Sequence, residues 1–280
     1  MKLLVPGGAG MLGRDVARVA SAAGHEVVAL TREGLDVTDA AAVAERVAAE
    51  APDAVLNCAA YTNVDGAEAD LRSAMEGNAE AARHVAAAAA AAGAAVLYPS
   101  TDYVFDGTKR EPYVESDPTR PQTVYGQSKL AGEHETASAN PRHVIARTSW
   151  LFGTGGRNFV ETMLRLAGEH AEVTVVRDQV GCPTYTPHLA EALVALLAAE
   201  SYGVHHVAAR GECSWYEFAR EIFRQAPVEC RVESTTSAEF RRPAPRPAYS
   251  VLVSERDDAV LLPAWEMGLA DYLAERAAVA

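Results

Sequence analysis

Two side chains whose types and spacing could do chemistry are Tyr125 and Lys129, in the stretch Tyr-Gly-Gln-Ser-Lys. Residues four apart lie on one face of an α-helix, one turn from each other. A lysine ammonium beside a phenol favours the phenolate, so we expect Lys129 to lower the pKa of Tyr125 from its ordinary value of about 10. The pair would then exchange protons near neutral pH. The same spacing also occurs by chance on solvated helix faces. The surrounding elements must decide between a catalytic pair and an accidental one.

A run of hydroxyl and acidic side chains, residues 100–107, lies shortly before that helix and follows a predicted strand at residues 95–99. It contains Thr101 and Asp102. Such residues at a strand end can simply form a turn. Because the helix that carries Tyr125 follows closely, we favour a catalytic role for this segment.

Three glycines, Gly7, Gly10 and Gly13, follow a short apolar strand at residues 2–6 and open an amphipathic helix that reaches about residue 23. In a strand–turn–helix unit this spacing lets the backbone approach a pyrophosphate at the positive end of the helix. The alternative is a tight turn with close helix packing. We predict a dinucleotide site here.

The end of the second predicted strand, residues 26–30, bears on the choice of cofactor. Dinucleotide folds often place a carboxylate there for the adenosine ribose, and an arginine suits a 2′-phosphate. This chain has Thr31 and Arg32 instead of an acid. We therefore predict a preference for NADPH, with Asp36 and Val37 flanking the adenine. The alternative is a solvated Arg32. Asp39 is expected to cap the next helix.

Alternating strands and helices predict the fold. Further strands are expected at residues 54–57, 95–99, 143–147 and 172–176. This order predicts an α/β protein with a Rossmann-type, doubly wound parallel sheet and a small C-terminal substrate-binding lobe. We assign residues 1–150 to the dinucleotide-binding core, with 172–200 returning to it. Residues 151–171 and 201–280 are assigned mainly to the lobe.

Two features could recognise a substrate. Trp150 follows the fifth predicted strand and could either join the core or stack on a sugar or base. Residues 241–247 concentrate three arginines, and their prolines hold the segment extended. Arg242 and Arg246 could therefore meet a phosphate. A solvated linker is the alternative for this segment.

Composition and charge exclude several classes of function. The formal net charge of −13 speaks against nucleic acid or an anionic membrane as partner. The four cysteines lack metal-ligand spacing, which is typical of a reduced, cytoplasmic protein. A strand begins almost at the first residue, so no signal peptide is expected. The alanine-rich run at residues 86–95 is too short and too weakly apolar for a membrane span.

Together these segments resemble the extended short-chain dehydrogenase/reductases, and more narrowly the dTDP-4-dehydrorhamnose reductase family. The resemblance runs through residues 7–13, 57–62, 100–107, 125–129, 147–150, 178–184 and 242–244. The Tyr-x-x-x-Lys pair marks only the superfamily. The Ser-Thr-Asp-Tyr-Val-Phe-Asp-Gly stretch together with Asp-Gln-x-Gly-x-Pro-Thr is much narrower.

The resemblance implies roles for named residues. Tyr125 would be the acid, Lys129 its pKa partner and a ligand of the nicotinamide ribose, and Thr101 a second hydroxyl that polarises the carbonyl. The residues expected to bind the cofactor are Gly7, Gly10, Met11, Leu12, Gly13, Thr31, Arg32, Asp36, Val37, Ala59, Ala60, Tyr61, Thr62, Tyr125 and Lys129. Those expected to bind substrate are Thr101, Asp102, Trp150, Arg242 and Arg246.

The implied reaction is hydride delivery to the C4 ketone of a dTDP-6-deoxy-4-keto-L-hexose, giving dTDP-L-rhamnose. NADPH is the expected cofactor, with NADH usable, and a monomer or homodimer is expected. The family is also associated with Mg²⁺, for which the sequence offers no ligand cluster. Two alternatives stay open. One is a 4-ketoreductase for another dTDP-deoxysugar, for instance in antibiotic biosynthesis. The other is a non-catalytic dinucleotide-binding regulatory subunit, against which Thr101, Tyr125 and Lys129 argue.

Overall fold

Strands and helices alternate along the chain, and the computed structural model describes residues 1–279. The strands are β1 (Lys2–Pro6), β2 (Glu26–Leu30), β3 (Ala54–Leu56), β4 (Ala95–Thr101), β5 (His143–Thr148), β6 (Leu151–Phe152), β7 (Glu172–Val176), β8 (Val180–Gly181), β9 (Thr184–Tyr185), β10 (Gly203–His206), β11 (Cys213–Ser214) and β12 (Arg231–Thr235). The helices are α1 (Met11–Ala22), α2 (Ala40–Glu50), α3 (Val64–Ala67), α4 (Leu71–Met75), α5 (Ala81–Ala91), α6 (Val124–Ala139), α7 (Phe159–Glu169), α8 (Thr186–Ala198), α9 (Trp215–Gln225) and α10 (Trp265–Val279). A π-helical turn at Glu76–Glu80 joins α4 to α5, and a 3-10 turn at Asp102–Val104 follows β4.

A six-stranded sheet forms the centre of the molecule, with strand order β10-β5-β4-β3-β1-β2 and all neighbours parallel. The chain goes from β1 to one neighbour, β2, and then crosses to the other side of β1 for β3. The strand order therefore reverses between β1 and β3, where open α/β sheets bind ligands beyond the carboxyl ends of their strands. The predicted α/β, doubly wound parallel sheet is confirmed.

Both faces of the central sheet are covered, as a parallel sheet requires. Successive side chains of β1 point to opposite faces. Leu3 and Val5 pack with Leu189 and Leu193 of α8, whereas Leu4 packs with the helices of the opposite face. All of these side chains are fully buried.

The strand that carries the predicted hydroxyls is two residues longer than the sequence indicated. β4 extends through Ser100 and Thr101 because these residues pair with Arg147 and Thr148 of β5. The hydroxyl of Thr101 therefore stands at the carboxyl end of a central strand. The predicted helix cap at Asp39 is confirmed, since its carboxylate accepts hydrogen bonds from the first amides of α2.

The smaller part of the molecule requires a correction to the predicted division. β7 (Glu172–Val176) does not return to the central sheet but pairs in parallel with β12 in a separate two-stranded sheet. Its alternating burial, with Val173 and Val175 buried, is typical of a strand covered on one face only. β10, assigned to the lobe from sequence, is an edge strand of the central sheet. The remaining division into core and lobe stays a prediction.

Among residues 1–279, no helix combines the length and apolar composition needed to cross a lipid bilayer.

Candidate functional site

A cleft of about 530 Å³ opens at the carboxyl ends of β1, β2 and β3, where the strand order reverses. Nine residues predicted to bind a cofactor line it: Gly7, Gly10, Thr31, Arg32, Asp36, Val37, Ala59, Ala60 and Tyr61. Seven further residues of its lining were not predicted: Ala9, Leu35, Thr38, Cys58, Ser73, Glu76 and Gly77. The predicted Met11, Leu12 and Gly13 begin α1, and Thr62 follows Tyr61 in the loop after β3. Helix α6 carries Tyr125 and Lys129.

The glycine turn at the head of this cleft is tight and also open to an anion. Gly7 has a φ of +76°, and a side chain there would lie 2.5 Å from the amide nitrogen of Ala59. A side chain on Gly13 would overlap the carbonyl oxygen of Gly7. No side chain caps α1 at Gly10, so its first amides face the cleft side of the turn without a side-chain acceptor. The structure thus shows the tight packing, and anion binding at this helix start stays a prediction.

Arg32 and Asp36 form an ion pair on the rim of the cleft. The Nε and Nη2 atoms of Arg32 both lie 3.2 Å from Oδ2 of Asp36. The backbone amide and hydroxyl of Thr38 hold the other carboxylate oxygen. These hydrogen bonds from Thr38, assisted by Arg32, lower the pKa of Asp36. The arginine on which the NADPH prediction rests is therefore paired with the carboxylate that was expected to flank the adenine.

Tyr125 and Lys129 lie in the first half of α6, which Thr123 caps through the amide of Gly126. Lys129 is buried, and its Nζ donates a 2.7 Å hydrogen bond to the carbonyl of Pro99. The ammonium also lies 3.9 Å from the centre of the Tyr98 ring. Burial lowers the pKa of Lys129 to about 7, while the carboxylate of Glu133 opposes that shift.

The expected lowering of the Tyr125 pKa is wrong in this structure. Burial raises the pKa of Tyr125 to about 12, and only a hydrogen bond with Thr101 acts in the other direction, since Asp102 adds to the rise. The sequence argument failed because it assumed an exposed pair. The ammonium of Lys129 is directed at a carbonyl and a ring of β4, and the phenol is out of water.

Asp102 lies behind the Thr101 hydroxyl and is buried. Its Oδ1 accepts a 3.0 Å hydrogen bond from Oγ1 of Thr101, and its Oδ2 accepts a 2.6 Å bond from the hydroxyl of Ser250. Burial raises the pKa of Asp102 to about 6, although both hydroxyls oppose the shift. In this structure Asp102 orients Thr101, and its contact with a substrate stays a prediction.

A buried ion pair supports the catalytic helix from the sheet side. Glu133, one turn beyond Lys129, accepts hydrogen bonds of 3.0 and 2.8 Å from Nε and Nη2 of Arg147 on β5. The hydroxyl of Ser100 donates to the same carboxylate at 2.5 Å. The sequence analysis missed this group. The signal was the continued four-residue spacing from Tyr125 through Lys129 to Glu133.

Asn78, in the π-helical turn, holds the cofactor loop and the catalytic helix together. Its side-chain oxygen accepts from the amide of Tyr61 at 2.8 Å. Its side-chain nitrogen donates to the carbonyl of Tyr61 and to the hydroxyl of Ser128, both at 2.9 Å. The signal in the sequence was an asparagine next to an alanine-rich helix. If that helix is buried, the side-chain amide needs hydrogen-bond partners.

Trp150 lies where the sheet meets the smaller lobe. Its backbone is in the left-handed region, with a φ of +48°. Its ring stacks on Trp215 of α9 at 3.5 Å between centroids and an angle of 5°. Gly181 is the glycine of the Asp-Gln-x-Gly-x-Pro-Thr stretch. A side chain at this position would lie 2.5 Å from the Trp150 ring, so only glycine fits there. Trp215 was not predicted as a partner.

Arg242 and Arg246 both pair with Asp65 of α3. Arg246 also lines a cleft of about 190 Å³ with Tyr103, Thr123 and Pro245. Two guanidinium groups against one carboxylate leave one net positive charge in a chain of net charge −13. The segment 241–247 is thus attached to the core and is not a free linker.

No group of three or more histidine, cysteine or acidic side chains within the described residues could hold a metal ion. The described residues therefore give no support to the Mg²⁺ that the resemblance suggested.

Comparisons with known proteins agree with this geometry. The sequence profile of the RmlD substrate binding domain matches residues 1–278. A dTDP-4-dehydrorhamnose reductase of Streptomyces griseus is 46% identical over 90% of this chain and 86% of its own length. A probable dTDP-4,6-dihydroxy-2-methyloxan-3-one 4-ketoreductase of Streptomyces antibioticus is 43% identical over 91% of this chain and 88% of its own.

A solved structure with the same fold has its cofactor bound. It is the dTDP-4-dehydrorhamnose reductase of Bacillus anthracis in complex with NADP, 37% identical, with a TM-score of 0.96 over 98% of this chain and 99% of that one.

Proposed function

The chain belongs to the RmlD substrate binding domain family, and from that premise we propose that it reduces the C4 ketone of a dTDP-6-deoxy-4-keto-L-hexose, forming dTDP-L-rhamnose with NADPH as reductant. The observation that carries the proposal is the meeting of two hydroxyls, of Thr101 and Tyr125, at the carboxyl end of β4. A ketone oxygen that becomes an alkoxide needs one proton and at least one further hydrogen bond, and these hydroxyls can provide both.

Tyr125 is proposed as the proton donor. Its raised pKa, about 12, keeps the phenol protonated at neutral pH, which is the form that an acid requires. Thr101 donates to Asp102 in this structure, which holds its oxygen beside Tyr125. To donate to the ketone oxygen, the single hydroxyl proton of Thr101 has to turn from the carboxylate to the substrate. The positive charge of Lys129, when protonated, favours the developing negative charge on the substrate oxygen.

The cleft at the switch point suits a dinucleotide. The glycines of the turn leave room that a Cβ would fill, and the cleft joins the turn to the loops after β2 and β3. NADPH, when bound, supplies the hydride. The related Bacillus anthracis protein, crystallised with NADP, supports the choice of a phosphorylated cofactor. We propose that Arg32 contributes to that choice, and that Arg246, supported by Arg242, holds the substrate diphosphate.

A second candidate function is reduction of a different dTDP-linked deoxysugar. It is favoured by the Streptomyces antibioticus relative, whose identity of 43% is close to the 46% of the Streptomyces griseus reductase. Overall identity therefore does not separate the two sugars. Both reactions would use the same catalytic hydroxyls.

The test is an assay of the purified protein with NADPH and dTDP-4-dehydrorhamnose, followed by NMR identification of the sugar formed. We expect NADPH oxidation coupled to dTDP-L-rhamnose, and no oxidation without the sugar nucleotide. A product epimeric at C4, or turnover only with another dTDP-ketosugar, would favour the second candidate. Failure with every dTDP-ketosugar would refute the proposal and leave the non-catalytic alternative.

A further inference from the structure

Asp65 is the point at which the arginine segment, residues 241–247, is attached to the core. Its Oδ2 accepts from Nε of Arg242 at 3.0 Å and from Nη2 of the same residue at 2.5 Å. Its Oδ1 accepts from Nη2 of Arg246 at 3.0 Å and from the amide of Ala244 at 3.2 Å. One carboxylate thus contacts three residues of a segment that has neither helix nor strand structure.

The anchor itself is held firmly. Asp65 lies in α3, which Asn63 caps by accepting from the amide of Gly66. Immediately before it, the backbone of Tyr61 is fixed on both its amide and its carbonyl by Asn78. Burial alone would raise the pKa of Asp65, but the hydrogen bonds from Arg242 and Ala244 and the charge of Arg246 bring it below its ordinary value. The carboxylate is therefore ionised at neutral pH.

The far end of the segment is fixed by shape. Gly107 has a φ of +73°, and a side chain there would lie 2.6 Å from Cα of Pro247. The guanidinium of Arg246 lies 6.0 Å from the centre of the Tyr103 ring. Its side chain is only 15% exposed, whereas that of Arg242 is 49% exposed. Arg246 is thus directed into the cleft beside Tyr103, and Arg242 lies outside it.

We propose that Asp65 is a positioning residue that orders the arginine segment in advance, so that Arg246 can bind the diphosphate of a nucleotide-linked substrate. This inference rests on the proposed function. Arg242 donates hydrogen bonds from both Nε and Nη2 to Asp65 and has a structural role. Arg246 uses Nη2 for Asp65 and Nη1 for the Ala244 carbonyl, which leaves its Nε and its remaining N–H groups for an anion.

Two opposing effects decide whether substitution of Asp65 weakens or strengthens the binding of a diphosphate. Removing the carboxylate removes a charge that repels a diphosphate, which would tighten binding. It also frees two arginine side chains and their backbone, and binding must then order them at a cost in conformational entropy. The repulsion acts near the surface, where charges interact weakly. We therefore expect the loss of order to dominate and binding to weaken.

The experiment measures binding of dTDP by calorimetry to the full-length protein and to Asp65→Asn. We expect the dissociation constant for dTDP to rise about tenfold, with the constant for NADPH and the thermal midpoint nearly unchanged. Glu169→Gln, which removes another arginine–carboxylate pair far from this segment, is the matched control and should bind both ligands normally. Asp65→Glu keeps the charge and should fall between the wild type and Asp65→Asn.

A double-mutant cycle tests whether Asp65 acts through the arginines. With Arg242→Gln and Arg246→Gln already in place, Asp65→Asn should have no further effect on dTDP binding. Unchanged or tighter dTDP binding by Asp65→Asn would overturn the inference and make the carboxylate a bystander or a competitor. Should Asp65→Asn not fold, Asp65→Glu with normal dTDP affinity would overturn it equally. A wild type that does not bind dTDP would instead refute the proposed function.

Discussion

Tyr125 illustrates how burial can outweigh a hydrogen bond in setting the pKa of a phenol. Its phenol lies beside Thr101 and out of water, and burial raises its pKa to about 12. The nearby ammonium of Lys129 is shared between the Pro99 carbonyl and the Tyr98 ring. The phenol therefore keeps its proton until a reacting oxygen takes it, which suits a donor in a reduction.

Replacing Tyr125 by phenylalanine keeps the ring and removes the proton. We expect turnover to fall by roughly 10²–10⁴, the usual contribution of a positioned acid, with NADPH binding retained. Steady-state kinetics together with fluorescence titration of NADPH will measure both. Lys129→Met serves as the comparison, because it should damage cofactor affinity as well as turnover. Turnover within a few-fold of wild type in Tyr125→Phe would remove the assignment.

Arg32 and Asp36 allow the cofactor preference to be changed in both directions. Arg32→Ala should raise the KM for NADPH by about tenfold and leave that for NADH nearly constant, since a charge-assisted hydrogen bond contributes about 1.5–3 kcal/mol and exposure reduces it. Asp36→Asn frees Arg32 from its partner and should strengthen the preference for NADPH. Kinetics with both cofactors provide the measurement.

The matched control for this pair is Arg46→Ala. Arg46 and Glu50 form an ion pair with the same spacing and the same 3.2 Å distance on α2, and neither residue lines the cleft. It should leave both KM values unchanged. Equal KM values for NADPH and NADH in the unmodified protein would show that Arg32 points into solvent.

At the scale of elements, α6, which carries the proposed proton donor, is fixed at two points. Thr123 caps its first turn, and Glu133 joins its middle to β5 through Arg147. Both partners of that pair are buried, so removing one leaves an uncompensated charge at a cost of about 3–5 kcal/mol. The same carboxylate raises the pKa of Lys129 against the effect of burial.

Glu133→Gln is therefore predicted to change the pH dependence of turnover. Burial lowers the pKa of Lys129 to about 7, and Glu133, Cys58 and Tyr98 are the titratable groups around it. Activity that needs the ammonium declines as the pH rises through that pKa. Without the Glu133 carboxylate the pKa falls further, so the alkaline limb of the profile moves to lower pH.

Two companion variants separate charge from structure in this prediction. Ser100→Ala removes one hydrogen bond but keeps the carboxylate, so its alkaline limb should stay in place. Combining Glu133→Gln with Arg147→Met removes the unpaired guanidinium and should recover stability, measured by urea unfolding, while the limb stays shifted. An unshifted profile in the double variant would show that Glu133 has only a structural role.

At the scale of the whole molecule, an aromatic stack joins the end of a central strand to the helices of the C-terminal half. Trp150 follows β5 of the sheet, and Trp215 begins α9 of the lobe. Phe159 of α7 packs on the same Trp215 ring, with centroids 4.5 Å apart. Movement of the lobe relative to the sheet would disturb this stack first.

Trp150→Ala should raise the KM for the sugar nucleotide about tenfold and leave the KM for NADPH nearly unchanged. Loss of the stack should also lower the free energy of unfolding by about 0.5–1.5 kcal/mol, in addition to the loss from the smaller buried apolar area. Trp265→Phe, in the buried cluster of the lobe, is the control. It should lower stability and leave both the KM for the sugar nucleotide and the KM for NADPH nearly unchanged. The reverse pattern of KM changes would move Trp150 to the cofactor side.

The sequence by itself determined where most strands lie and which residues follow them. Apolar runs bounded by glycine and polar residues predicted β1, β2 and β7 to the residue. The glycine turn and Thr101 followed from their position after strands, and Tyr125 from its four-residue spacing to Lys129. These features depend on local periodicity and backbone sterics, which neighbouring residues carry. The parallel order of the strands followed from the alternation with helices.

Only the tertiary structure decided which side chains share a proton or a charge. Asp65 and Arg242 are 177 residues apart, and Asp102 and Ser250 are 148 apart, so no local pattern could pair them. The pKa of Tyr125 depended on burial, which long-range packing creates. The placement of β7 with β12 was likewise decided by the lobe, because pairing between distant strands depends on which apolar faces are left to cover.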